Sequence, residues 1–327
     1  GVGHKEDRHS INPKIFYYSP KYSINIISNF NNIGELPLTM QDYFKMTGGF
    51  RNMMAKGGSS FNVASNDLGF SLMRNNRAQN IDTKFTAANF SYNPTKTWSL
   101  SGFGIFNRSK TNIQTNTQST ILANNSQTIT EDKTVQKTDF GMMKLSSSYK
   151  PNAKLQFDYD ILGKKSNQNE YGNLYRQILA SGLYSSEDIY TNKNQKPNSV
   201  NQNLGLYYTL NDKNIFAAEA QHLYQDENPF YNANLLNLPS NFFGIGSGYD
   251  FSQNRKDLNQ NRYTQTNKLD AKIDYYYVLT PKSNLNFTLG NTYSYQKFNS
   301  HIFQILDNGN SNDLNNPDFN NAVTYAF

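Results

Sequence analysis

The chain has 327 residues, no cysteine and a formal net charge of +6. The missing cysteines exclude disulfides and thiolate metal sites, and Lys and Arg so scattered give no stripe that would mark a nucleic-acid binder. Only 36% of residues are hydrophobic and 17% charged, yet 14% are aromatic, with 23 Tyr and 22 Phe. A chain this polar normally reads as disordered, but disordered chains are poor in aromatics.

The first element is "YYSPKYSINIISNF", Tyr17 to Phe30, which reads as a strand, a tight turn at Ser19-Pro20-Lys21 and a second strand. In the second strand Tyr22, Ile24, Ile26 and Phe30 share one face and Ser23, Asn25 and Asn29 the other. Further turns follow at Asn93-Pro94-Thr95-Lys96, Lys150-Pro151-Asn152-Ala153, Asn211-Asp212-Lys213 and Thr280-Pro281-Lys282-Ser283. Pro presets φ for tight turns, and Asn and Asp side chains bond the turn backbone. Period-two alternation flanks them. Leu155, Phe157, Tyr159 and Ile161 oppose Gln156, Asp158 and Asp160. Leu204, Leu206, Tyr208 and Leu210 align, as do Ile273, Tyr275, Tyr277 and Leu279. Leu285, Phe287, Leu289, Tyr293 and Tyr295 face away from Asn286, Thr288, Gly290, Thr292 and Ser294. "WSLSGFGIF", from Trp98, alternates less cleanly.

Between these hairpins the segments 33–80, 108–130, 168–199, 226–260 and 300–322 are rich in Asn, Gly and Ser and are expected as long loops. Compact soluble domains seldom hold several such connections. Two architectures suit the composition: a secreted β-solenoid or adhesin, and a transmembrane β-barrel. Short turns at one rim and long loops at the other are what the barrel requires. The fold expected is therefore all-β, an antiparallel up-and-down transmembrane β-barrel. Its strands would alternate between lipid and a wet lumen, and every backbone group would be paired by closure. No run approaches the ~20 apolar residues of a membrane helix. Tyr18, Tyr22, Tyr92, Trp98, Tyr149 and Tyr208, all near turns, are expected in an interfacial girdle.

No nucleophile motif is present, and the chain reads as a non-enzyme without cofactors. His4, His9, His222 and His301 are too dispersed for a metal site. Asp158 and Asp160 share a face but read as lumen-facing carboxylates rather than an acid–base pair. "DNGNSND", Asp307 to Asp313, has oxygen ligands at alternating positions, but Gly309 takes a ligand position and no Glu follows, so an Asn-rich loop is the better reading. The glycines of "FFGIGSGYD", Phe242 to Asp250, lack the βαβ setting of a dinucleotide site and instead suit sharp turns. Aromatics clustered in the expected loops are the candidate ligand-binding residues: Tyr43, Phe44 and Phe50, then Phe230, Tyr231, Phe242, Phe243 and Tyr249. Self-packing or contact with a partner protein explains them equally well.

"YSINIISNFNNIGELPLTMQDYFKMTGGFRNMMAKGGSSF", Tyr22 to Phe61, carries a "NFNNIG" strand end and an aromatic loop with "DYF" and "GGF" ahead of the hairpin series. "FSYNPTKTWSLSG" and "QDENPFYNAN" have the same texture. In these the chain resembles the outer-membrane barrel of TonB-dependent receptors of Bacteroidetes and flavobacteria. The resemblance implies a bacterial outer-membrane location, in contact with the lipid bilayer and lipopolysaccharide. It also implies a plug domain, energy supplied through TonB, and import of a scarce solute of siderophore, glycan or peptide class. A surface lipoprotein or other outer-membrane proteins would be further partners, and a structural subunit of an outer-membrane complex is the alternative role. The family's barrel has twenty-two strands. About ten to twelve are expected here, with neither signal peptide nor plug, so residues 1–327 read as part of a larger barrel.

Overall fold

The structure is a computed structural model that describes residues 8–34, 78–121, 126–180, 182–235, 248–314 and 320–327. All regular structure among these residues is β. The strands are β1 (Ser10–Ile11), β2 (Lys14–Tyr18), β3 (Tyr22–Asn31), β4 (Ala78–Thr95), β5 (Trp98–Ile121), β6 (Ser126–Asn152), β7 (Leu155–Ala180) and β8 (Leu183–Gln195). They continue with β9 (Asn198–Asn211), β10 (Asn214–Glu227), β11 (Phe230–Leu235), β12 (Asp257–Thr280), β13 (Ser283–Ile305), β14 (Ser311–Asp313) and β15 (Asn320–Ala326). They form one 15-stranded antiparallel sheet.

Three strand breaks are the work of proline. β1 and β2 pair with β3 in one unshifted register on either side of Pro13, whose carbonyl accepts the Ser28 amide at 2.9 Å. β8 and β9 likewise run along β7 on either side of Pro197, which accepts from Ser166 at 2.9 Å. β10 and β11 run along β12 past Pro229, which accepts from Arg262 at 3.0 Å. Proline removes a ladder donor but leaves its carbonyl, so each pair is one continuous pass. Among the described residues the sheet is then a plain meander with each pass beside the next.

The five expected turns lie together at one end of the meander, because consecutive passes are antiparallel. The Asn152 side chain accepts the Lys154 and Leu155 amides at 2.8 and 3.0 Å, and Asn211 accepts Lys213 and Asn214, both at 3.0 Å. Pro94 and Pro151 fall inside register shifts beside their turns, a bulge setting where a missing donor costs no pairing.

Register fixes the faces. Trp98, Tyr149, Phe157, Leu206, Ala218, Ile273 and Leu289 form one continuous cross-strand row. Ile24, Phe90, Gly102, Leu145 and Ile161 form another on the same face. The opposite face carries Ser23, Ser91, Ser101, Ser146, Asp160, Asn203, Gln221, Asp270 and Thr292 in a single row. The alternations read in the sequence therefore hold, with one correction. Tyr18 pairs with Ser23 and lies on the polar face, while Tyr17 pairs with Ile24 and stacks on Tyr22 at 5.3 Å. The aromatic edge on the apolar face is thus Tyr17, Tyr22, Tyr92, Trp98, Tyr149 and Tyr208.

Burial runs opposite to that of a water-soluble sheet. Leu289 is 76% exposed, Phe287 59%, Met143 57% and Ile273 55%, all on the apolar face. Thr83, Asn107, Ser109, Thr111, Asp274, Ser294 and Ser300 are buried on the polar face. The polar face also holds an apolar cluster of Phe85, Ala87, Ile105, Phe140, Met142 and Leu162, all buried. Phe103 and Ile105 break the alternation of "WSLSGFGIF" because Ile105 joins this cluster and Phe103 lies in the adjacent row, separated from Leu162 by Lys144.

The segments 108–130 and 168–199 were expected as loops, but their described residues are almost wholly strand. β5, β6 and β7 run on through them, and β6 alone has 27 residues, about 90 Å of extended chain. Threonine-rich stretches such as "TNIQTNTQST" and "TITEDKTVQKT" have high β-propensity but no apolar period, so alternation does not announce them. Parts of 226–260 and 300–322 are also strand, in β10 to β12 and β13 to β15.

Candidate functional site

On the polar face, toward the end away from the short turns, one cross-strand row joins Gln136, Glu170, Lys193, Tyr231, Gln260 and Ile302. The Gln136 amide donates to Glu170 at 2.7 Å, and the Lys193 ammonium lies 5.5 Å from the Tyr231 ring centre. Gln260 donates to Ser300 at 2.9 Å. In the next row Gly172 sits beside Thr191, whose Oγ1 a Cβ at that glycine would meet at 2.5 Å. This is a surface of amides, hydroxyls, one ion-bearing pair and one aromatic ring, suited to hydrogen bonding rather than bond-breaking.

Tyr231 was expected as a ligand-binding residue, but its neighbours Lys193 and Glu170 were not. They fall in the segment read as loop, and only the pairing of β7 with β8 and β8 with β11 brings them beside Tyr231. Phe230, adjacent in sequence, lies on the opposite face, paired with Asn261 and Asn194. The structure thus divides this pair between faces. Tyr43, Phe44, Phe50, Phe242 and Phe243 lie outside the described residues.

Tyr249 is only 7% exposed and packs on Phe251 at 4.8 Å, so its ring is built into the segment rather than presented. Burial pushes the Tyr249 hydroxyl above its ordinary range. Gly248 enters this segment at φ +72°, and a Cβ there would come within 2.5 Å of the Leu314 carbonyl, so the sharp turn read from the glycines is required at this position. Fully buried Gln304 accepts the Asp250 amide and donates to the Asp250 carbonyl, both at 2.8 Å.

Asp307 and Asp250 lock the same segment. Asp307 accepts the Arg255 amide at 2.7 Å and the Asn254 amide at 3.0 Å, and these bonds hold its carboxyl below the usual carboxylate range. Asp250 is lowered by its bonds from Ser252 and Gln253. The "DNGNSND" stretch is thus a turn whose first carboxylate caps backbone donors, with Gly309 at φ +84°. A depressed folded pKa means that the stabilisation is present above the unfolded value, about 3.9, and is lost as pH falls through the folded one. The Arg255 and Asn254 amide resonances are therefore expected to shift together as pH drops below about 4, and Asp307→Asn to abolish that titration. Resonances unchanged down to pH 2 would contradict the capping role.

Deeper along the polar face, Lys272 lies 3.2 Å from Glu219 and 3.6 Å from Asp274. Asp158 receives Gln156 at 2.7 Å, and Asp160 pairs across the sheet with Asn203 and Ser146. Asp158 and Asp160 sit half-buried among amides and hydroxyls, while Asp274 is buried and bonded by Thr288 at 2.5 Å. On the apolar face, in the row that runs from Ile161 to Leu269, His222 bonds Gln202 at 3.2 Å and Asn267 at 2.9 Å through its two ring nitrogens, so both are satisfied within the sheet.

No protein-family model, no curated protein and no solved structure matches the chain.

Proposed function

We propose that this chain is part of the wall of an outer-membrane β-barrel of the TonB-dependent receptor type, importing a scarce polar solute. The observation that carries this reading is the inverted burial: exposed aromatic and aliphatic rows on one face, buried hydroxyls and amides on the other. In water an antiparallel sheet buries its apolar face. In a bilayer that face meets hydrocarbon. Two further features support it. The apolar face is free of charge from Trp98 to Phe106 on β5 and from Leu279 to Leu269 on β12, about the nine to eleven residues a tilted strand needs to cross. The meander puts the short turns at one end, as in barrels with short periplasmic turns.

The polar face becomes the lumen wall. Amide, hydroxyl and aromatic groups at its outer end, around Lys193 and Tyr231, give a hydrogen-bonding surface for a glycan, peptide or chelate, and the wall supplies no bond chemistry. Deleting the intact gene should abolish uptake of one such solute, and unchanged uptake of every class tested would sink the transport reading. Tyr231→Ala with Lys193→Gln should raise the half-saturating concentration about ten-fold, because the ring and the ammonium would no longer be there to contact and hydrogen-bond the solute, with the amount of protein in the membrane unchanged.

The length of β5, β6 and β7 beyond the apolar band favours a second role. These hairpins project a stiff wall on which partner proteins could assemble. Co-purification at fixed stoichiometry, with no solute binding, would select the scaffold over the transporter.

A further inference from the structure

Lys84, Arg108, Lys110, Lys137 and Lys165 are scattered in sequence, but register gathers them on the apolar face, directly beyond the apolar band. Lys84 pairs with Arg108, and Arg108 with Asp139. One outward row further on, Asp82 pairs with Lys110 and Lys110 with Lys137. One outward row nearer the band, Lys165 stands opposite Gly141, which stands opposite Phe106. With strands about 4.8 Å apart and outward residues about 7 Å apart along each, the patch is roughly 15 Å across.

The five cations outnumber the two carboxylates among them, Asp82 and Asp139. Arg108 meets Asp139 at 2.6 Å while keeping 63% of its side chain exposed. Lys84, Lys110, Lys137 and Lys165 are exposed and, among the described residues, enter no ion pair. Lys110 and Lys137 stand directly opposite each other, an arrangement of like charges that destabilises a sheet unless an anion lies between them. The polar face at the same height carries Asn107, Phe140 and Ser166, with no charge. The cations thus point only outward, at the level where the apolar surface of Met143, Gly104 and Phe106 ends.

We propose that this patch binds the phosphate groups of a phosphorylated glycolipid in the outer leaflet. The proposal rests on the membrane-wall reading above. Its commitment to lipid rather than free anion comes from continuity: Phe106 and Met143 would meet the acyl chains of the molecule whose headgroup the cations hold. Each Lys or Arg near an anionic membrane surface contributes about five-fold in affinity, so removing three charges should cost on the order of 100-fold.

The test uses the full-length protein, wild type and the Lys84→Gln, Lys110→Gln, Lys137→Gln triple variant, with Lys133→Gln as a control for a charge further from the band and paired with Glu131 at 2.7 Å. Each is first checked for insertion by flotation with lipid vesicles. Binding is then measured to bisphosphorylated lipid A in nanodiscs, to the same lipid dephosphorylated, and to inorganic phosphate. The expected result is tight binding of the phosphorylated lipid by wild type and control, and about 100-fold weaker binding by the triple variant. Inorganic phosphate at millimolar concentration should not compete. With dephosphorylated lipid, the triple variant should be at least as heat-stable as wild type, because the Lys110–Lys137 repulsion is gone. Equal binding by inserted wild type and triple variant overturns the proposal alone. Full competition by inorganic phosphate overturns the lipid assignment in favour of a free-anion site. Failure of the wild type to insert overturns both this proposal and the membrane-wall reading.

Discussion

Leu145→Arg should destabilise the protein by about 2–4 kcal/mol in lipid, while Ser146→Arg, one residue along, should change it by less than ~1 kcal/mol. Leu145 sits in the apolar row between Gly102 and Ile161, near the middle of the charge-free stretch of β6, and is 39% exposed. Ser146 lies in the polar row between Ser101 and Asp160, where Lys144 and Asp160 already place charges on the same face. A guanidinium at 145 would have to leave water for hydrocarbon, whereas at 146 it would join a hydrated polar surface. The contrast is diagnostic because a soluble sheet predicts otherwise: a residue exposed to water accepts Arg at almost no cost. Urea titrations of both variants refolded into lipid vesicles measure the difference. Equal and small effects would remove the basis for placing the apolar face in a membrane.

The same pair shows what the sequence made legible. In "KLQFDYDIL" apolar and polar residues alternate without interruption, and in "NLNFTLGNTYSY" with a single break at Asn291, and the structure keeps every one of those faces. Turn chemistry was equally readable, because Asn152 and Asn211 act on backbone donors two and three residues away, within the window a local reading covers. Legibility failed where the cause was not local. Tyr17 and Tyr18 are both aromatic, and only their pairing with Ile24 and Ser23 decides which of them joins the apolar face. The outer halves of β5 to β8 carry polar residues on both sides, so no hydrophobic period marks them as strands, and Lys193 went unnoticed with them. Pro197 and Pro229 look like strand terminators, yet each keeps its carbonyl in the ladder and the register passes through. The cationic patch needed the register most. Lys84 and Lys165 are far apart along the chain, and the pairing of β4 with β5, β5 with β6 and β6 with β7 brings them together.

The second large effect is expected at Phe140. A sheet whose polar face was uniformly hydrated would tolerate Phe140→Ala there, since little apolar contact would be lost. Instead Phe140 is 3% exposed, with Met142 at 3%, Leu162 at 4% and Ile105 at 6% around it, and Phe85 fully buried across the intervening Asn107. Removing a buried Phe ring leaves a cavity that close-packed neighbours cannot fill, at a cost of about 3–5 kcal/mol. Met142→Leu, which nearly conserves volume, should cost less than ~1.5 kcal/mol. The cluster joins β4, β5, β6 and β7 through side chains as well as backbone bonds, so it anchors the strands that also carry the long hairpins and the cationic patch. Phe140→Ala is therefore expected to lower the urea midpoint strongly in detergent and in lipid alike. Leu145→Arg should depend on the hydrophobic medium, because its cost is transfer into hydrocarbon. If Phe140→Ala were as mild as Met142→Leu, the cluster would be a surface accumulation of rings, and the polar face would be a hydrated wall from end to end.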